Sequence, residues 1–339
     1  MAKAIIMAGG QGERFWPITH ARFPKYRIRL NGKDSLLQNT YRRLLKVYRR
    51  DSIYVVTTKS HFEFIREELP PLDTRHILIE PCRNNTAPAI FFSCETLRNT
   101  FGNEAVVSFF PADHLIQNEM EFKRTMRAVI RLAREQETLV TVGIKPTFPA
   151  SAYGYIESGE PIPGFPDARR VRRFVEKPNR RKALSYVRRK NFFWNGGIFT
   201  WRVGVFAGMM HRFAPKFSEN FDLENLSASY EKLPNLSIDY ALMEKADRLA
   251  LYITRMDWCD MGSWDMFANH LPRPANHHFA SGPIRTADSS GTTVLNYTQS
   301  PIVAFGLKDL IVVQTSVGTL ICKKGRSEEA ALLFKKFGA

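Results

Sequence analysis

Cysteine is scarce in this chain, and the four present (Cys82, Cys94, Cys259 and Cys322) form no C-x-x-C pair. That pattern gives no zinc ribbon and no thioredoxin-like motif, and reads as thiols buried in a core. Histidine pairs are missing too. No H-E-x-x-H or H-x-x-H occurs, which removes the zinc-protease pattern. No apolar run reaches the roughly 18 residues of a membrane-spanning helix. The opening MAKAIIMAGG passes straight into a strand pattern, without the longer apolar segment and cleavage site of a signal peptide. These absences point to a cytoplasmic protein with no membrane partner. Acid is also short: 33 acidic residues face 49 basic ones, for a net charge of +16. Such a surplus suits an anionic partner. The runs RRLLKVYRR (42–50), RRVRRF (169–174) and NRRKALSYVRRK (179–190) hold much of it. Each also reads as a solvated helix or loop face. No RNP, zinc-finger or helix-turn-helix pattern supports nucleic acid as the partner.

What is present is an alternation of strand-length apolar runs with helical patterns. KAIIMA (3–8), SIYVVTT (52–58), HILIEP (76–81), AVVSFFPAD (105–113) and LVTVGI (139–144) read as strands. Helical spacing fills 35–48, 60–69, 86–99 and 121–136. Buried strands rich in Val and Ile, separated by helices, predict an α/β fold with a mainly parallel, Rossmann-like sheet covered on both faces. Beyond Gly143 the pattern loosens. Short strands are expected at 153–158 and 171–178, then FFWNGGIFTWRV (192–203). Helices follow at 204–213 and 237–247, and a strand at 249–256. LPRPANHH reads as a linker. After it, TTVLNY, PIVAFG, LIVVQT and TLICKK recur at about ten-residue spacing as a small β-rich region, closed by a helix over 327–337. The expected domains are 1–272 and 273–339.

The first strand ends in MAGGQGERFWPITHARFPKY (7–26). Glycines at 9, 10 and 12 let backbone N–H groups approach a ligand, and successive amides make an anion-binding concavity. At the carboxyl edge of an open α/β sheet, this is where ligands bind. The turn is neither of two familiar loops. The dinucleotide pattern fails because Phe15 stands where a third glycine belongs. The P-loop fails because no glycine lies five residues before Gly32, and Asp34 takes the hydroxyl position. Read alone, the turn is either a phosphate cradle or only a turn. Arg14 and Lys25 favour the cradle.

MAGGQGERFWP with Pro24-Lys25 resembles the signature of the sugar nucleotidyltransferases. EPCRNNTAPAI (80–90), PADH (111–114), FVEKP (174–178), WNGGIF (194–199), SIDYALMEKA (237–246) and CDMGSW (259–264) resemble their mannose-1-phosphate guanylyltransferase branch. The matches are collinear from residue 4 to about 270, and the last β segments are similar to that branch's C-terminal cap. The expected form is the single-activity one, without a cupin-like isomerase domain.

The resemblance implies transfer of GMP from GTP to mannose 1-phosphate, giving GDP-mannose and pyrophosphate, with Mg²⁺ as cofactor; a homodimer is left open. It implies that the backbone of Ala8, Gly9, Gly10 and Gly12 binds nucleotide phosphates, and that Arg14 and Lys25 neutralise them. Asp113 and Asp260 hold the metal, and Lys177 grips the sugar phosphate. Gly154, Glu176 and Asn195 meet sugar hydroxyls, with Asp239 in the same wall. Asn85, Thr86 and Pro88 lie against the base. The sugar phosphate oxygen is already anionic, so the chemistry is positioning and charge stabilisation without a general base. A chain with no Ser-His or Cys-His arrangement suits it.

The chain departs from the family's usual pattern in places. Tyr26 and Arg27 follow Pro-Lys where Gln-Phe is usual, and Arg29 adds a charge. Asn84 replaces a basic residue, and Gly196 a frequent Ser. Two other readings stand beside the first: a transferase for another base or sugar, and a non-catalytic, sugar-nucleotide-sensing relative.

Overall fold

The computed structural model describes residues 2–10, 12–20, 22–29, 33–219, 221–271 and 279–329. The expected linker from residue 272 on and the closing helix beyond 329 lie outside them. The chain divides into two compact units. The first comprises 1–9, 40–112 and 116–258; the second comprises 10–39, 113–115 and 259–339.

The first unit is built on a nine-stranded sheet. In chain order its strands are β1 (Lys3–Met7), β2 (Ile53–Thr58), β3 (Ile77–Glu80), β4 (Val106–Pro111), β5 (Leu139–Ile144), β6 (Tyr155–Ile162), β7 (Phe165–Val175), β8 (Phe192–Arg202) and β9 (Leu249–Thr254). They lie side by side as β3-β2-β1-β4-β8-β5-β9-β7-β6. β1 pairs in parallel with both β2 and β4, so the strand order switches beside β1, and the glycine turn leaves from its carboxyl end. Only β7 and β8 run against the other strands. The mainly parallel sheet is therefore as expected. β2 and β5 are almost wholly buried β-branched runs, which is what a strand covered on both faces requires. Helix α1 (Thr86–Phe101) and helix α3 (Val203–Phe213) supply Phe91, Phe92, Phe206 and Met210 to its core. Between them in sequence, α2 (Glu119–Glu135) starts where the Asn118 side chain accepts from the Glu121 N–H at 3.0 Å, an N-cap. The helix expected over 237–247 is a short π-type turn, Asp239–Met243.

The second unit joins the glycine segment to the C-terminal β region. Its strands are β10 (Phe279–Ser281), β11 (Ile284–Ala287), β12 (Thr293–Asn296), β13 (Ile302–Phe305), β14 (Leu310–Gln314) and β15 (Thr319–Lys323). Alternate strands pair in parallel: Ile284 with Ile302 and Thr293 with Ile311, each an advance of 18 residues. Only β14 and β15 close as an antiparallel pair. The ten-residue rhythm is thus a coil of rungs, not a meander of hairpins. Phe15, Ile18, Ile28, Trp264, Phe267, Leu295, Ile311 and Val313 form one core. The Trp264 indole meets the Phe15 ring at 4.9 Å and donates its N–H to the Trp16 carbonyl at 2.9 Å. Thr315 donates to the Pro17 carbonyl at 3.1 Å.

Candidate active site

Gly12 has φ +70°, a left-handed conformation that glycine adopts without steric cost. A Cβ there would lie 2.3 Å from Cβ of Lys25. The turn therefore closes on the lysine through the missing side chain. The Gly12 carbonyl accepts from the Thr19 hydroxyl at 2.8 Å, fixing the turn from within. Gly12 also starts a single helical turn, Glu13–Phe15, which anchors Phe15 in the core and leaves Arg14 at the surface. Among the described residues Arg14 makes no side-chain hydrogen bond or ion pair.

Lys25 is buried. Its ammonium lies 2.8 Å from Asp113 Oδ2 and donates to the Asp260 carbonyl at 2.8 Å. These three expected residues are brought together within the second unit. Burial alone would raise the Asp113 pKa; the Lys25 charge, His114 and the Lys25 hydrogen bond outweigh burial and hold it below the ordinary carboxylate range. Asp260 Oδ1 accepts from the Gly262 N–H at 3.0 Å, and Ser263 caps helix α4 (Trp264–Asn269). Turn and cap are thus served by different residues.

Asp113 meets Lys25 with its carboxylate and Asp260 with its main-chain carbonyl; by chemistry, two carboxylates without a softer ligand are the donors of a hard divalent cation. The described residues contain no group of three or more His, Cys, Asp or Glu placed for a metal. Such a pair fits Mg²⁺, which keeps several waters and is held by one or two carboxylates plus substrate phosphates.

Ala8 corrects the expected cradle. Its N–H donates to the Val56 carbonyl at 2.9 Å and its carbonyl accepts from Thr57 at 2.6 Å. The N–H is taken by the sheet and the carbonyl by the Thr57 hydroxyl, so Ala8 has no amide to offer a phosphate. Gly9 and Gly10 follow it; a Cβ on Gly10 would meet nothing within 4 Å.

In the first unit a polar cluster forms around Asn195. Its side-chain carbonyl accepts from Thr141 at 3.0 Å and from the Gly197 N–H at 3.1 Å, while its amide donates to Asp239 Oδ1 at 3.0 Å. Its own N–H donates to the Gly154 carbonyl at 2.8 Å. A Cβ on Gly154 would come within 2.5 Å of Glu176 Oε2, so a side chain there would displace the Glu176 carboxyl. That oxygen is buried without a hydrogen-bond partner. The other Glu176 oxygen takes the Lys177 ammonium in a short contact. Burial and then the Glu176 charge push the Asp239 carboxyl up, with Lys177 opposing. Burial would lower the Lys177 pKa, but its bond and ion pair with Glu176, then Asp239, raise it. Gly154, Glu176, Lys177, Asn195 and Asp239 thus form one group. It holds an orphaned acceptor, a cation and a pinned amide, a set that could bind a polyhydroxylated anion.

The NNTAPA residues take more structural parts. Asn84 is buried and donates to the Leu233 carbonyl at 2.9 Å. Asn85, at φ 63°, caps α1 with its side chain on the Thr86 N–H. The Thr86 hydroxyl accepts from the Ile238 N–H at 2.9 Å. Pro88 is buried within the helix.

Glu80, at the end of β3, was not singled out from the sequence. It is buried, and burial pushes its pKa up to about 7 against the opposing Tyr230 hydrogen bond and Arg83 charge. Tyr230 donates to its Oε2 in a short contact. Its Oε1 lies 3.8 Å from where a Cβ on Gly9 would stand. An acid in a strand otherwise written in Ile and Leu was the available signal.

The family described as "Nucleotidyl transferase" matches residues 3–273. The chain belongs to the nucleotidyl transferase family. This nucleotidyltransferase is 32% identical over 342 residues to "Mannose-1-phosphate guanylyltransferase 2" of Escherichia coli O157:H7, covering 95% of this chain and 70% of that one. It is also 32% identical over 356 residues to "Mannose-1-phosphate guanylyltransferase ManC" of Salmonella typhimurium strain LT2, covering 99% and 73%. A crystal structure described as mannose-1-phosphate geranyltransferase from Thermus thermophilus superposes with a TM-score of 0.89 at 27% identity, over 100% of this chain and 99% of that one. Within the family the nucleotidyltransferase therefore falls in the mannose-1-phosphate guanylyltransferase branch. No helix among its described residues is long and apolar enough to cross a membrane.

Proposed function

We propose that the enzyme transfers GMP from GTP to mannose 1-phosphate, releasing pyrophosphate and GDP-mannose. The observation that carries the reading is Lys25, a buried ammonium locked between the Asp113 carboxylate and the Asp260 carbonyl, with Gly12 closed upon it. A fixed cation beside a glycine turn suits the charge that builds on a leaving pyrophosphate, and needs no reorganisation as the reaction proceeds.

The sugar phosphate oxygen attacks the α-phosphorus in line with the departing bridging oxygen, and no proton has to be removed first. The Gly9 and Gly10 amides and Arg14 bind the triphosphate. Asp113 and Asp260 would hold Mg²⁺, which when bound withdraws charge from the phosphate oxygens. Lys177 takes the sugar phosphate. Glu176 Oε2, buried and unpartnered, accepts from a sugar hydroxyl, and the pinned Asn195 fixes the wall behind it.

The preference for guanine is supported by Glu80. Tyr230 occupies Oε2, and Oε1, on the side of Gly9, remains to accept from one of guanine's adjacent donors, N1–H and N2–H₂. Adenine and cytosine present a ring acceptor beside the amino group, and uracil a single N–H between two carbonyls. The test is pyrophosphate release from mannose 1-phosphate with each of the four nucleoside triphosphates. GTP is expected to be the fastest; equal rates with UTP, or none with GTP, would defeat the assignment.

A further inference from the structure

Arg27 and Arg29 are not used by the reaction, although they stand two and four residues after Lys25. Both line a cavity of about 760 Å³ in the second unit, with Phe23, Phe279, Tyr297 and Thr315. None of Gly10, Gly12, Arg14, Lys25, Asp113 or Asp260 lines it, so it is separate from the phosphate cradle. Its size is that of a small-molecule site, which ordinarily joins apolar and aromatic walls to a few placed polar groups. Here the polar groups are cationic. The Arg27 guanidinium lies 5.6 Å from the centre of the Phe23 ring, and Arg29 is steadied by a 3.0 Å hydrogen bond to Gln38. Tyr297 is 47% exposed. Guanidiniums suit phosphate oxygens, and flat aromatic walls suit a heterocycle.

We propose that this cavity is a second, non-catalytic site for a nucleoside diphosphate or its sugar ester. The phosphates lie on Arg27 and Arg29, and the base lies among Phe23, Phe279 and Tyr297. Arg27 and Lys25 are the two ends of a single helical turn, Lys25–Arg27. A ligand drawn onto Arg27 thereby bears on the position of the lysine. That coupling rests on the catalytic reading of Lys25; the binding does not.

The experiment is calorimetric titration of the full chain with GDP, in EDTA, at low and high salt. Two classes of site are expected. Arg27→Gln/Arg29→Gln should weaken one class at least tenfold and leave the other. Lys25→Ala should do the reverse. Tyr297→Ala, which trims an exposed ring and leaves folding intact, should weaken the class that the double variant weakens. Affinity at that class should fall as salt rises. A single class in the wild type that Lys25→Ala removes would overturn the proposal, as would a folded double variant that keeps both classes. Pyrophosphate binding there as tightly as GDP would overturn the nucleotide assignment. A single class lost only in the arginine variant would uphold this site; the catalytic reading stands or falls on the four-nucleotide assay with Mg²⁺ present.

Discussion

Gly12→Ala tests whether the glycine turn seats Lys25 or only lies beside it. The new Cβ would start 2.3 Å from Lys25 Cβ, where ordinary contact begins near 3.4 Å, so one of the two must retreat by about 1 Å. The backbone is also held at φ +70°, which costs a side-chain-bearing residue roughly 1–2 kcal/mol. With the overlap added, we expect a loss of about 2–4 kcal/mol of stability. A catalytic group misplaced by about 1 Å can cost on the order of 100-fold in rate. Pyrophosphate release should therefore drop by about that factor in kcat. KM for mannose 1-phosphate should change little, because the sugar-side residues belong to the other unit. The control is Gly10→Ala, where an added methyl meets nothing within 4 Å; its thermal midpoint should stay near wild type. A folded Gly12→Ala enzyme with wild-type turnover would refute the reasoning.

Other expectations follow from the same geometry. Lys25→Ala should lower kcat by about 10²–10³, since the lost charge acts on the leaving group. It should also lower the thermal midpoint, because Asp113 loses its ion-pair partner; an unchanged turnover would end the assignment. Asn195→Ala unpins Asp239 and frees Thr141, and should raise KM for mannose 1-phosphate about tenfold while leaving KM for GTP alone. Glu80→Gln should narrow the preference for GTP over UTP in the four-nucleotide assay. The Glu80 carboxyl is raised from 4.5 to about 7 in the fold, so between those values the folded chain holds a proton that the unfolded chain has released. Stability contributed at low pH is then lost as pH rises through this window. Relative to wild type, Glu80→Gln should gain roughly 2–3 kcal/mol between pH 4.5 and 8; a flat difference in chemical denaturation would show that Glu80 does not titrate there.

Much of the first unit was legible because its signals are local. β2 and β5 are β-branched runs of strand length, and α1 and α2 carry helical spacing. The glycine turn was legible for the same reason: glycines at 9, 10 and 12 directly after a strand mark a turn. What escaped depended on partners distant in sequence. Nothing local tells residues 10–39 that their core includes Trp264 and Ile311, or tells β12 to pair with β14 in preference to its sequence neighbour. Ala8 looked like part of the cradle by position, but the ladder to Val56 runs one residue further and takes its amide. Asn85 and Thr86 also carry structural bonds that the motif alone does not show, the first capping a helix and the second accepting from Ile238. Glu80 stayed hidden because an acid at a strand end is ordinary until its burial is known.

The shared core of residues 10–39 with the C-terminal coil has a consequence for how this enzyme can be altered. Trp16 packs where Gly318 leaves room for its ring, and Thr315 holds Pro17. Trimming the far end of the chain would not shave off an ornament; it would loosen the foundation of the glycine turn near its start. A chimera that exchanges the coil between relatives should therefore travel with its own glycine segment, or arrive with a slack lysine.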